Sequence, residues 1–533
     1  MFRKKIYKVH RALSLVIALP VLLWAASGFM HPLMTTLKPQ VATQFLTPQV
    51  VDSSRMQQPL QTVLQKNNLS GVYNFRLVSI DTNWFYQVQA VAGAAPKYFS
   101  TRTGRPLQKG DELYAQYLAQ QFVAGPPEPP KAVLPRPGRL ALLAPEAPAE
   151  GHDCCMAAAH FVKKANAKNK VAGVVRVEQF SSEYKYVNRL LPVYKVNFER
   201  ADGLRVYVET TTDRFAYAVD DQRAVFDRLF SLFHTWSWLE GAGKGKYGVM
   251  VLLLTATLLT TLMGLYIFFT TKAKPAKGNP VVNARRNHRW TSVLASLFTI
   301  LFAFSGAFHA WEKIGEKEQV KPYTPAFTPA AALDLDWDRL QAAVDGPITD
   351  VRLARIADKS YWQVFTPKIS KGGTPPPPGA VYVDQENYSV YPGGERAYAA
   401  FLASRYSGRL PGDSIALTPV TKFEGEYGFV NKRLPVWKVA YAGNGNERYY
   451  VETGTGQLAT RVEDSDLAEG YSFALLHKHH FMDWAGKGVR DFSTMFWAMA
   501  QIAMVVVGLI LWQKSKRRKA VVQGKKPERL HNE

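Results

Sequence analysis

Eleven histidines stand in a chain of 533 residues, and six of them fall into three matched pairs. His10 and His31 bracket one apolar stretch, HRALSLVIALPVLLWAASGFMH; His288 and His309 bracket another, HRWTSVLASLFTILFAFSGAFH. His234, in LFH, matches His477, in LLH. Neutral imidazole ligates iron, copper and zinc. A metal-binding side chain in or beside an apolar span is a functional candidate by default. A single interfacial histidine more often just anchors a helix. Pairs at matched places ask for a different explanation. Two imidazoles facing each other inside a helical bundle can supply both axial ligands of a b-type haem.

The spacing sets two levels. His10 and His31 are separated by roughly 31 Å of α-helix, about a membrane thickness, and lie broadly on one helix face. His10 and His288 are therefore expected at one membrane face, His31 and His309 at the other. His234 and His477 are a second candidate for the outer pair, each on an expected amphipathic helix just before an apolar span. The inner pair is the firmer assignment, and the outer one stays open between the two. His479 and His480 face Trp236 and Ser237 in the matching segment and are read as substrate-side or surface residues. A further cluster, GHDCCMAAAH, holds the only cysteines, Cys154 and Cys155, with His152, Met156 and His160. Such soft donors suit copper, and zinc less well. The plainer reading is an oxidised vicinal pair in an oxidising compartment.

Four long, nearly uncharged runs must position these residues: Leu13–Met30, Val249–Phe269, Val293–Phe308 and Phe492–Trp512. Each approaches the roughly 20 residues that cross a hydrocarbon core. Arg3, Lys4, Lys5, Lys8 and Arg11 precede the first. Lys272, Lys274, Lys277, Arg285, Arg286 and Arg289 fill the short loop between the second and third. Lys514, Lys516, Arg517, Arg518 and Lys519 follow the fourth. Short Lys/Arg-rich segments stay in the cytoplasm. Both termini are thus expected inside, and the two long segments outside, in the periplasm. Much of the net charge of +23 sits in these flanks, which argues against nucleic acid as a partner. Residues 1–27 have the form of a signal peptide, but the matching internal helix at 290–311 cannot be one, so a retained anchor is expected.

The chain reads as two copies of one unit. EYKYVNRLLPVYKV (183–196) matches EYGFVNKRLPVWKV (426–439), and YVET at 207–210 matches YVET at 450–453. Ser27-Gly28 matches Ser305-Gly306, and WFYQV (84–88) matches SYWQV (360–364). The segment VYKVNFERADGLRVYVETTTDRFAYAV alternates apolar and polar residues around an Asp-Gly turn, as antiparallel strands do. Helices are expected at CMAAAHFVKKANAKN and ERAYAAFLASRY, giving two small α+β modules per outer segment. The Pro-rich stretches 124–151 and 372–379 read as excursions. The expected fold is a membrane α-helical four-helix bundle from an internal duplication, with two periplasmic α+β lobes. Its parts are 1–35 (cytoplasmic segment and first span), 36–246 (first lobe), 247–271 (second span), 272–289 (cytoplasmic loop), 290–311 (third span), 312–490 (second lobe), 491–513 (fourth span) and 514–533 (basic tail).

These histidine-bracketed spans, the LFH and LLH segments, and the strand pairs LPVYKV…GLRVYVETTT and LPVWKV…YYVETGTGQL together resemble the PepSY-associated transmembrane family. The resemblance covers most of the chain and rests on motif order. It implies PepSY-like lobes, a bacterial inner-membrane location and haem b, with two haems expected. Histidine ligation is implied at positions like His10, His288, His234 and His477, and less typically at His31 and His309. It further implies an oxidoreductase that moves electrons from a quinol or a cytoplasmic reductase to a periplasmic ferric siderophore or other oxidised metal complex, in iron uptake. No glycine-rich phosphate loop for a flavin or nicotinamide domain is present. Two rivals remain: a membrane-tethered PepSY binding or inhibitory protein without redox chemistry, and a copper-linked reductase using the Cys154–Cys155 cluster. No nucleophile–base set or HExxH pattern suggests a peptidase.

Overall fold

A computed structural model describes residues 2–124, 170–272, 279–315, 320, 323–367, 379–443 and 445–524. The first half runs α1 (Phe2–Thr36), α2 (Leu60–Lys66), β1 (Gly71–Val72), β2 (Asn74–Ile80), β3 (Asn83–Gln89), β4 (Lys97–Ser100), β5 (Pro106–Leu107), α3 (Gly110–Ala124), β6 (Val171–Val177), β7 (Val193–Phe198), β8 (Arg205–Glu209), β9 (Arg214–Val219), α4 (Asp221–Phe233) and α5 (Lys244–Thr270). The second half runs α6 (Pro280–Glu312), β10 (Thr328–Pro329), α7 (Trp337–Ala343), β11 (Asp350–Ile356), β12 (Lys359–Phe365), β13 (Ala380–Asp384), α8 (Gly394–Ser407), β14 (Ser414–Val420), β15 (Val436–Tyr441), β16 (Arg448–Glu452), β17 (Gln457–Val462), α9 (Asp464–Ser472) and α10 (Gly486–Gly524). The chain divides into a helical unit (Met1–Lys38, Gln222–Glu318, Ser465–Glu533) and a sheet unit (Pro39–Asp221, Gln319–Asp464).

In the helical unit, α1, α5, α6 and α10 are each long and apolar enough to cross a membrane. They form a closed ring in the order α1, α5, α6, α10, so α1 and α6 lie on one diagonal. The outward faces carry large apolar side chains, among them Val16, Leu19, Leu252, Leu297 and Phe492, all exposed. The inward faces carry small ones: Ala18, Ala25 and Ser27 on α1, and Ala295, Thr299, Ala303 and Ser305 on α6, all buried. Without a hydrophobic drive between helices in lipid, small residues allow the close approach that packing needs. Arg289 closes the C-terminus of α5, donating to the carbonyls of Phe268 (2.9 Å) and Thr271 (2.7 Å).

The sheet unit contains antiparallel sheets in the orders β2-β3-β4-β5, β6-β7-β8-β9, β11-β12-β13 and β14-β15-β16-β17, with β1 pairing β10. The alternating patterns around VYKVNF and VWKVAY become β7 and β15, and ERAYAAFLASRY lies in α8. Two of the sheets share one core, in which Phe75 meets Trp362 edge-on at 6.0 Å. Their first strands exchange reciprocal bonds: the Asp350 carboxylate accepts the Leu77 N–H (2.9 Å), and the Asn74 amide oxygen accepts the Leu353 N–H (3.2 Å). The helices α3 and α8 approach their sheets through glycine. A Cβ on Gly110 would lie 2.7 Å from Tyr98, and one on Gly394 would lie 2.6 Å from Tyr382.

Candidate functional site

His10 and His288 sit early in α1 and α6, at the end of the ring where α5 finishes. His10 Nδ1 lies 3.1 Å from the Thr260 carbonyl of α5. A carbonyl oxygen only accepts, so Nδ1 carries the proton and Nε2 the lone pair. His288 Nδ1 lies 3.4 Å from Ser292 Oγ, one turn along its own helix. Each ring lies over a glycine one turn further along the neighbouring helix. A Cβ on Gly264 would stand 3.3 Å from His10 Cε1, and one on Gly508 would stand 3.1 Å from His288 Cε1.

At the other end of the ring, His234 follows α4 directly and His477 closes a π-helical turn, Phe473–His477, after α9. Their ring centroids are 6.0 Å apart, with planes at 82°. His234 Nδ1 is 3.1 Å from Ser27 Oγ, and His477 Nδ1 is 3.1 Å from Ser305 Oγ. Both hydroxyl protons are already committed. Ser27 donates to the Leu23 carbonyl (2.6 Å) and Ser305 to the Leu301 carbonyl (2.8 Å). Each serine oxygen is then left to accept, so Nδ1 is again the donor and Nε2 the lone-pair nitrogen. Phe230 stacks on His234 at 4.6 Å and Phe473 on His477 at 4.8 Å.

The remaining histidines are placed differently. His31 is exposed and its ring lies 5.4 Å from that of Phe230. His309 stacks on Phe473 at 5.0 Å and pairs with the Glu469 carboxylate. Each therefore contacts a phenyl ring that also stacks on His234 or His477. His479 departs from its expected surface place. It is 0 % exposed, with Nδ1 3.1 Å from Ser493 Oγ and rings of Phe298 and Phe302 at 5.0 and 5.2 Å. Trp236 takes the corresponding place, stacked on Trp24 at 5.0 Å, and both residues have left-handed backbones (φ 51° and 56°). His480 lies 2.8 Å from Asp483 and 3.2 Å from Arg490.

In the sheet unit the two YVET motifs meet in a buried ion network. Arg433 donates to Glu209 (2.8 Å) and to Glu452 (2.7 Å), and Arg214 also pairs with Glu452. Burial alone would raise the Glu452 carboxyl, but Arg214 and Arg433 outweigh it and hold that carboxyl down at about 2. Burial pushes Asp111 and Glu395 the other way, up. Two open clefts lie at matched places, between a helix and an edge strand. The cleft of α8 and β14, about 380 Å³, is lined by residues including Arg396, Ala397 and Ile415. That of α3 and β6, about 210 Å³, is lined by residues including Glu112, Leu113 and Val174.

Among the described residues, no group of three or more His, Cys, Asp or Glu side chains gathers to hold a metal ion. The candidate copper residues His152, Cys154, Cys155, Met156 and His160 lie outside the described residues, as do the helix expected at 155–169 and most of both Pro-rich excursions. Sequence reasoning missed Ser27, Ser305, Thr260 and Ser292 as partners of the histidines. The Ser-Gly match between the first and third spans was the available signal for Ser27 and Ser305. No protein-family model matches this chain, and no curated protein matches it.

Proposed function

We propose that this protein is an inner-membrane electron carrier that binds two b-type haems in its helical unit and reduces an oxidised metal complex, a ferric siderophore in the first instance, during iron uptake. The observation that carries the reading is the opposed pair His234 and His477, with each Nδ1 held by a serine. Were one metal ion held between the two rings, with metal–nitrogen bonds of about 2 Å, their centroids would stand about 6 Å apart, the separation that His234 and His477 have. Ligating histidines characteristically donate the other ring N–H to a fixed acceptor, which sets tautomer and orientation. His10, His234 and His477 each have such a partner, in the Thr260 carbonyl, Ser27 and Ser305. Gly264 and Gly508 leave room at the inner pair that any side chain would fill.

When bound, haem supplies a one-electron couple that no side chain of the bundle offers. The chain's own residues do the rest. Four Nε2 atoms act as donors. Thr260, Ser292, Ser27 and Ser305 contact the rings through Nδ1. Phe230, Phe473 and Phe302 set apolar rings against the outer histidines. The Lys/Arg-rich flanks of the spans support cytoplasmic termini. The matched element order of the two halves supports a duplicated unit and keeps the resemblance to PepSY-associated proteins in view. The substrate iron, once reduced, is a poorer match for the hard oxygen donors of a siderophore and is released more readily. On this reading the sheet unit receives the complex, and the cleft beside Arg396 is the first place to look.

The test is a reduced-minus-oxidised optical spectrum and a pyridine haemochrome assay on the purified protein. An α-band with about two haems per chain is expected. A colourless protein would leave the non-redox, PepSY-type binding protein as the better account.

A further inference from the structure

His479 is a fully buried imidazole with one nitrogen left over. Its Nε2 has no hydrogen-bond partner among the described residues. Its Nδ1 lies 3.1 Å from Ser493 Oγ on α10. Ser27 and Ser305 give their hydroxyl protons to carbonyls of their own helices. Ser493 has no described partner other than His479, so Nδ1 is the acceptor for its hydroxyl proton. A neutral imidazole that accepts at Nδ1 carries its proton on Nε2. His479 therefore has the tautomer opposite to that of His234 and His477. It presents an N–H where they present a lone pair.

The unmet donor does not follow from the fold alone. Trp236 holds the matching place with the same left-handed backbone, and its one side-chain N–H donates to the Phe233 carbonyl (3.1 Å). Around His479 stand apolar rings instead: Phe298, Phe302 and Phe481, at 5.0, 5.2 and 5.4 Å. A buried donor without an acceptor is costly, and in a native protein it asks for a partner. The position says which one. Phe302 stacks on His479, and its ring also lies 5.4 Å from that of His477. The N–H thus stands one phenyl ring away from a proposed iron ligand, at the outer end of the ring of helices. A b-type haem carries two carboxylates on one edge. Charge is costly in the middle of a bilayer, so that edge favours the end of the bundle nearest water. A carboxylate only accepts, and its bond to an N–H is stronger than that of a neutral oxygen.

We propose that His479 anchors a haem propionate: its Nε2–H, set by Ser493, donates to a carboxylate on the edge of the porphyrin that His234 and His477 hold. This rests on the haem reading above. Two histidines two residues apart then have separate tasks. His477 ligates the iron, and His479 fixes how the porphyrin is turned about its axial ligands.

The experiment follows the transfer of haem from the purified full chain to excess apomyoglobin, together with the propionate bending band in resonance Raman spectra. His479→Phe keeps a ring against Phe302 and removes the donor. One of the two haem equivalents should then leave roughly tenfold faster or more, as the loss of one hydrogen bond to a charged group implies. The propionate band should shift, and the low-spin α-band should stay, since His234 and His477 still ligate. His479→Gln, which returns an amide N–H, should restore most of the slow rate. A role in packing alone would give the reverse order, because phenyl is closer to imidazole in shape. If His479→Phe fails to fold, Ser493→Ala takes its place: nothing then holds the proton on Nε2, and the same haem should leave faster by a smaller factor. An unchanged rate and band would leave Nε2 to a water molecule and overturn the proposal, with the haem reading standing. Loss of the low-spin signature from one haem would make His479 an iron ligand and overturn it too. A protein without haem sinks both.

Discussion

His234 and His477 lie 243 positions apart in sequence, and the fold brings their rings to a centroid separation of 6.0 Å. His31 and His309, equally well matched in sequence, contact Phe230 and Phe473 and take no serine partner in the described hydrogen bonds. The two candidate outer pairs therefore separate. His234→Ala or His477→Ala should lower the haem content by about one equivalent per chain. His31→Ala with His309→Ala should keep both. Haem quantitation by pyridine haemochrome reads both outcomes, and full retention in His234→Ala would remove that pair from the site.

What was legible before the structure divides by range. Spans, strand alternation and α8 follow from local periodicity, so the apolar runs became helices and VYKV became a strand. The partners of the histidines did not follow. Ser27 meets His234 across 207 positions, and only tertiary packing selects it over Ser14, the other serine of α1. His479 was read as a surface residue because its counterpart is not histidine. Its burial follows from its place in the fold, where Trp236 stacks on Trp24 just as His479 stacks on Phe302. The YVET motifs read as strands, which they are. Their glutamates are buried because Arg433 reaches Glu209 from 224 positions away, a pairing no local pattern contains.

The inner pair can be tested without touching a histidine. Gly264 and Gly508 underlie His10 and His288, and a Cβ at either would sit 3.3 or 3.1 Å from the ring, closer than most real contacts. A β-branched side chain adds bulk at the same point. Gly508→Val should displace the His288 ring and cost one haem equivalent, while the site of His234 and His477 stays filled. Gly508→Ala should be milder, keeping haem with an altered spectrum. Loss of the other site instead would show that the glycine serves only helix packing.

The helix–sheet contacts of the sheet unit predict a loss of stability confined to that unit. A Cβ on Gly394 would lie 2.6 Å from Tyr382, whose ring is fully buried and cannot yield cheaply. Gly394→Ala should cost about 1–3 kcal/mol, the usual price of overpacking. Gly110→Ala against Tyr98 should behave alike. Denaturant unfolding of the full chain followed by tyrosine signal should show the shift. Haem content should not change, since the helical unit holds every ligand candidate.

The Arg433 network makes the last prediction, and its sign depends on pH. Arg433→Leu puts the residue found at position 190 in the matching motif where the guanidinium stands, leaving the buried Glu209 only the more distant Arg214 (3.8 Å) and the Thr212 hydroxyl. Breaking a buried pair from one side costs about 3–5 kcal/mol, so a loss of that order is expected at pH 7. The Glu452 carboxyl is held at about 2 in the folded protein, against about 4.3 in an unfolded chain. Its stabilisation is therefore complete above about pH 4.3 and disappears as pH falls through 4.3 toward 2. In the variant Arg214 still holds the carboxyl down and only the share of Arg433 is gone, so the difference between wild type and Arg433→Leu should shrink modestly as pH is lowered from 5 to 3. Asp111 and Glu395, which burial shifts upward, titrate alike in both proteins and cancel from the difference. Unfolding free energies measured across that interval check the claim, and a gap that widens on acidification would contradict it.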